Sequence, residues 1–147
     1  MNRLASPRGF SLVELAVTLV VMGLLVGFGI PAYQSFNTHH QLRGSAENIA
    51  SQVRMMREVA MATGQTQTMH FFYATLGGDY HIHNGIIQGA TWSLPRNITY
   101  YWGTGTSSVM TAGTDGRIAF PGMIILQDQN LRRDTVSVLA SGLVMAK

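Results

Sequence analysis

Histidine is the side chain in this sequence best suited to chemistry, and there are five of them. His81 and His83 stand two apart in a β-prone run, so a strand would place both imidazoles on one side. His39 and His40 are neighbours in a helix-prone stretch. A zinc centre draws three or four ligands from thiolate, imidazole and carboxylate groups. The chain has no cysteine, and no carboxylates cluster with the histidines. That excludes disulfides, thiol nucleophiles and thiolate metal sites, and it says nothing about compartment. The residues therefore read as structural histidines, with no metal centre and no cofactor expected. No glycine-rich loop opens a helix with Lys-Ser or Lys-Thr, so a nucleotide site is not expected. Ser and His occur without a nucleophile elbow or triad-like spacing. The chain is not expected to be an enzyme, and a membrane-anchored hydrolase lacks residues to carry it.

Glu14 raises a different kind of chemistry. It lies inside FSLVELAVTLVVMGLLVGFGI, the apolar run from Phe10 to Ile30. Twenty-one residues at 1.5 Å each cover roughly 32 Å, against a bilayer core of about 30 Å. A lone spanning segment must be a helix, since lipid satisfies no backbone groups. Arg3 and Arg8 precede the run and no basic residue follows before Arg43, which places the N-terminus on the cytoplasmic side. A secretory signal peptide is the ordinary alternative. The run is too long for an apolar signal core, and Gly29-Ile30-Pro31-Ala32 closes it poorly as a cleavage site. A carboxylate at the start of such a helix costs up to a few kcal/mol if deeply buried. The helix dipole relieves part of that cost, and snorkelling into headgroups is one alternative. A free amine at Phe10, four residues away, would offer a partner to the Glu14 of a neighbouring copy.

Arg8-Gly9-Phe10-Ser11-Leu12-Val13-Glu14 resembles the class III prepilin motif. The shared features are a short basic leader, a Gly–Phe junction, Glu at the fifth position after it, and an uninterrupted apolar run. The resemblance is to type IV pilins and type II secretion pseudopilins. It implies cleavage between Gly9 and Phe10 by a prepilin peptidase, which also methylates the new amine of Phe10. It further implies that Glu14 neutralises the amine of an adjacent subunit during assembly. Pro31 removes a helical hydrogen bond and crowds the carbonyl of Gly27. Gly23, Gly27 and Gly29 lower helix propensity nearby. Pilin-like helices resemble this in being able to kink or partly unwind here, although Pro31 would equally suit a simple membrane exit.

Beyond Pro31, Leu42, Ala46, Ile49, Val53, Met56 and Ala60 recur at spacings of three and four, one apolar stripe of an amphipathic helix. Arg43–Glu47 and Arg54–Glu58 are i,i+4 pairs off that stripe. Met55, Met56 and Met61 are expected to pack the helix on the sheet. Gly64 is a stop signal, giving an expected helix from Phe10 to Thr63, about 81 Å if continuous. Strands are expected at Thr66–Tyr73, Tyr80–His83, Ile98–Trp102, Arg117–Phe120, Ile124–Leu126, Thr135–Leu139 and Leu143–Ala146. Gly77-Gly78, Asn84-Gly85, Thr114-Asp115-Gly116 and Ser141-Gly142 serve as turns. Gly103–Gly113 reads as a mobile loop. The fold class is α+β, a long N-terminal helix packed on an antiparallel β-sheet. The expected organisation is a leader at 1–9, a transmembrane and assembly helix at 10–31, an amphipathic helix at 32–64 and an extracytoplasmic sheet domain at 65–147.

Within the pilin-like class, the remainder resembles the H-type pseudopilin and FimT-like minor pilin family. The carriers are Arg54-Met55-Met56-Arg57-Glu58-Val59-Ala60, Gly116-Arg117-Ile118-Ala119-Phe120-Pro121-Gly122 and the closing hairpin with Gly142. The implied function is a minor pilin or pseudopilin of a type II secretion pseudopilus or a type IV pilus. Its implied partners are prepilin peptidase, other pilin or pseudopilin subunits, the inner-membrane assembly platform and the lipid bilayer. A major pilin is a rival, against which stands the absence of the C-terminal cysteine pair many of them carry. A DNA-uptake minor pilin is another. Removing residues 1–9 leaves eight basic side chains against seven acidic ones, so there is no general basic surface. Arg132-Arg133 is the only basic doublet and is flanked by Asp128 and Asp134. The DNA-binding relatives carry arginines after the final hairpin glycine. Here Leu143 and Val144 follow Gly142, and DNA is not an expected partner. Tyr100-Tyr101-Trp102 suits sheet packing better than base stacking.

Overall fold

The computed structural model describes residues 10–71, 79–84 and 88–147. The element order is one helix and nine strands. Helix α1 spans Leu12–Thr63. The strands are β1 (Gln67–Phe71), β2 (Tyr80–His83), β3 (Gln88–Trp92), β4 (Ile98–Tyr101), β5 (Val109–Ala112), β6 (Ile118–Ala119), β7 (Gly122–Asp128), β8 (Arg133–Val138) and β9 (Val144–Ala146). The chain divides into two compact units, Met1–Asn37 and Thr38–Lys147. Helix α1 contributes to both.

In the first unit nothing of the apolar run is buried. Phe10, Leu12, Val13, Val17, Leu24, Phe28 and their apolar neighbours all face outward. This stretch of α1 is long and apolar enough to cross a membrane, and none of it is buried inside the chain. The helix continues through Pro31 without interruption. A proline inside a helix forfeits one hydrogen bond but need not end the helix. Gly64 does end it, taking the left-handed conformation at φ 66° that a side chain resists.

In the second unit the predicted stripe is the helix's buried face. Leu42, Ala46, Ile49, Val53, Met56 and Ala60 are all at most 2% exposed, and burying each large member contributes about 1.5–3 kcal/mol. Two antiparallel sheets complete the core, with strand orders β3-β2-β1-β5-β6 and β4-β7-β8-β9. The first sheet adds Met69, Phe71, Tyr80, Met110, Ala112 and Ile118. The second adds Ile98, Ile124, Leu126, Val136, Val138 and Val144, and all join the helix stripe in one cluster. Strands β7 and β8 alternate buried and half-buried residues with period two, as a sheet with one covered face requires.

Several expectations change. One sheet becomes two. Val109–Ala112, placed in a mobile loop, is strand β5, paired to β1 with Met69 opposite Met110. The Gly/Ser/Thr content of that segment hid a four-residue alternation in which only Met110 and Ala112 face inward. Strand β3 carried no sequence signal because Gly89 interrupts it. There the β2–β3 register shifts between His81 and His83, and Gly89 lies against the Ile82 carbonyl with no room for a Cβ. Met56 is buried, but Met55 and Met61 are 46% and 41% exposed. Met55 instead lines a cleft of about 300 Å³ with Val59, Ile82 and Trp92. Arg43 pairs with Glu47 at 3.2 Å, whereas Arg54 donates to the Val144 carbonyl at 3.0 Å. Arg54 thus satisfies a part-buried carbonyl of β9 in place of the Glu58 carboxylate. Phe72, Tyr73, the Gly77-Gly78 turn and Gly85 of the Asn84-Gly85 turn lie outside the described residues.

Candidate functional site

The N-terminal segment is built on a helix cap. Ser11 precedes the first helical residue. Its hydroxyl accepts the Glu14 amide at 3.1 Å, and the Glu14 carboxylate accepts the Ser11 amide at 3.5 Å. This reciprocal pair is a capping box, which satisfies two amides that a helix start leaves without partners. Glu14 is thus the first-turn acid of α1, placed where the helix dipole favours negative charge. Thr18 follows one turn later and donates to the Glu14 and Leu15 carbonyls. The Ser-x-x-Glu spacing is visible in the sequence as a capping signature, yet it is easily passed over beside the stronger reading of Glu14 as a charge in lipid. Phe10 is 77% exposed. Gly9 and the rest of the leader lie outside the described residues. Pro31 sits within continuous helix, about five turns from Glu14 along the sequence.

The residues that carried the second resemblance meet in space. Arg57 of α1 donates from Nε to the Gly116 carbonyl at 2.7 Å. Gly142 packs over that bond: a Cβ there would lie 2.5 Å from Arg57 Nε and 2.7 Å from the Gly116 oxygen. Both glycines have positive φ, 77° and 83°, as their turns require. The Thr114-Asp115-Gly116 turn closes with Asp115 accepting the Arg117 amide at 3.0 Å. The Ser141-Gly142 turn closes with the Gly142 amide donating to the Leu139 carbonyl at 2.9 Å. Three separated sequence segments therefore form one latch between α1 and the two sheets.

The basic doublet is built into a hairpin. The buried Asp128 carboxylate accepts the Asn130 amide, the Arg132 amide and Arg132 Nε at 2.8, 2.9 and 2.7 Å. Burial pulls its pKa up, but those hydrogen bonds and the Arg132 charge outweigh it and hold the carboxyl below the usual range. Arg133 lies 3.5 Å over the Tyr101 ring and donates to Gln127 at 3.0 Å. Tyr100 packs against the core, its hydroxyl pushed far up by burial and then by Asp79 and Tyr80.

The histidines are arranged in part as expected. His81 and His83 share one side of β2, opposite the core-facing Tyr80 and Ile82. Sequence reading missed His70, which β1 brings directly opposite His81. Only strand register, not spacing, could have placed it there. The three rings stack, with centroids 5.2 Å apart for His70–His81, 4.9 Å for His70–His83 and 5.7 Å for His81–His83. His39 and His40 are a separate edge-on pair on α1.

The chain thus joins an exposed apolar helix with a capped acidic start to antiparallel sheets on which the same helix packs. Both parts have counterparts among known proteins. Residues 5–30 match the profile of the prokaryotic N-terminal methylation motif. The minor pseudopilin EpsH from the type 2 secretion system of Vibrio cholerae has a similar fold, at TM-score 0.53 and 11% identity. The match covers 73% of this chain and 96% of EpsH. No curated protein sequence matches. The chain is type IV pilin-like in its N-terminal motif and in its fold.

Proposed function

We propose that the chain is a minor pilin or pseudopilin subunit, a structural component and not an enzyme. Prepilin peptidase cuts after Gly9 and methylates Phe10. The helix from Phe10 to Pro31 holds the protein in the inner membrane, with its N-terminus cytoplasmic and its sheet domain extracytoplasmic. The subunit then leaves the bilayer, through the assembly platform, for a type II secretion pseudopilus or a type IV pilus. The observation that carries this reading is the apolar helix face left wholly uncovered by the chain itself. Such a surface requires lipid or the helices of other subunits, and a filament of packed helices supplies the second. Glu14 pairs with the Phe10 amine of a neighbour. A carboxylate has about four acceptor positions, so the capping bond to Ser11 leaves capacity for that ammonium. The kink assigned to Pro31 would serve subunit packing.

The DNA-uptake alternative has no support at Arg132 and Arg133, which are held within the chain by Asp128, Gln127 and Tyr101. The test of the main reading is the intact mass of the membrane-extracted protein. The wild-type chain is expected to lack residues 1–9 and to carry one added methyl group, and Gly9→Val to retain the leader. An unprocessed wild-type chain, or a Gly9→Val chain cut at the same bond, would overturn it.

A further inference from the structure

The first sheet holds a side-chain cluster to which the proposed function gives no role. His70 on β1 is paired across the strands with His81 on β2, and His83 is the diagonal neighbour two residues on. Each imidazole places one nitrogen so that all three lie within 4.8 Å of one another. His81 is 5% exposed, and His70 and His83 are half-buried. We propose that His70, His81 and His83 form a binding site for one divalent transition-metal cation of the zinc type.

The chemistry of the ligand set selects the ion. Three imidazoles with no carboxylate or thiolate in the cluster suit zinc, copper or nickel and not calcium or magnesium, which need oxygen ligands. Zinc–nitrogen bonds of 2.0–2.1 Å in a tetrahedron put ligand atoms roughly 3.3 Å apart. The histidine nitrogens need to close by up to about 1.5 Å, and the soft ring torsion of histidine permits it. The rings now stack nearly parallel, 10° to 23° apart. Turning them out of the stack would make their lone pairs converge. Neutral imidazole is the form that binds metal. Three protein ligands leave one tetrahedral position for water or another group. The bound ion would clip β1 to β2 across the connection formed by residues 72–79, and ligand binding to the folded state alone raises thermal stability.

The experiment is zinc titration of the untagged, full-length mature protein in detergent, followed by competition with a chromophoric chelator. One zinc per chain and a rise in unfolding temperature are expected. Cobalt substituted for zinc should give the visible absorption of a tetrahedral site. His70→Asn and His83→Asn, at half-buried positions where folding is easily checked by circular dichroism, should each weaken binding about tenfold or more. Loss of a direct ligand costs at least as much as loss of an outer partner, which is 10–100-fold. His39→Ala/His40→Ala should leave binding unchanged. No stoichiometric binding by the wild-type chain overturns the proposal. So does equal affinity in the His70 and His83 variants, or binding lost with His39 and His40.

Discussion

Glu14 has one task in the structure and a second in the proposed function. Its carboxylate completes the Ser11 capping box, and the proposal gives its charge to a neighbour's amine. Glutamine also serves at this position of a capping box but brings no charge. Glu14→Gln should therefore keep the helix start and still fail in assembly, as Glu14→Ala should. Leaving one member of a buried ion pair unpaired costs about 3–5 kcal/mol, or more than about two decades in an association equilibrium. Membrane insertion should be unaffected in both variants. Quantifying subunits in sheared filaments decides the matter: normal incorporation of the Gln variant would remove charge pairing and leave only the cap. Asp128 supports a second prediction. Its folded pKa is depressed, so its contribution is present above the unfolded value of about 3.9 and is lost as pH falls through the folded value. Asp128→Asn should lower stability at neutral pH by about 1–3 kcal/mol and flatten the acid limb of the unfolding profile. Asp134 works with the opposite sign. Burial raises its pKa against its bond to Thr135 and the charges of Arg43 and His39, so it favours folding as the pH drops through that raised value. Comparing Asp128→Asn with wild type from pH 7 to pH 3 isolates the Asp128 share, and parallel curves would refute it.

At the scale of elements, α1 is fastened to the sheets by apolar burial and by two arginines. Arg54 holds the Val144 carbonyl of β9 and Arg57 holds the Gly116 carbonyl. Gly142 makes the second fastening possible, since a Cβ would displace the Arg57 guanidinium. Gly142→Ala also forces a side chain into φ 83°. Strain of that kind costs about 1–3 kcal/mol, and the upper end is expected because the hydrogen bond is disturbed too. Denaturant unfolding of the Gly142→Ala protein measures it, and a midpoint equal to wild type would show that the turn relaxes freely. The same construction explains why Gly116, Arg57 and Gly142 read together as one pattern: they are three sides of a single contact.

The whole molecule comprises two units with opposite needs. Every described core residue, from Leu42 to Val144, lies in the second unit, and the large apolar side chains described in the first are exposed. A chain of residues 38–147 should then be soluble without detergent and unfold cooperatively, at a temperature within a few degrees of the full-length protein. Circular dichroism melts of the two in parallel test this. An unfolded or aggregated fragment would mean that the apolar segment supports the fold as well as the anchor.

The division between what was legible and what was not follows the range of the forces involved. The N-terminal methylation motif, apolar run, buried helix stripe, Gly64 stop and most strands are encoded by neighbours a few residues apart, where periodicity and turn chemistry act. Leu42 through Ala60 could be assigned from spacing alone because a helix has only one way to hide that stripe. The tertiary structure decided whatever depended on pairing between distant segments. It made a strand of Val109–Ala112, whose composition favours a loop, by supplying β1 as its partner. It split one expected sheet into two, and it sent Arg54 to β9 and away from Glu58. It also set His70 beside His81 and His83 by strand register, a quantity no local pattern of histidines contains.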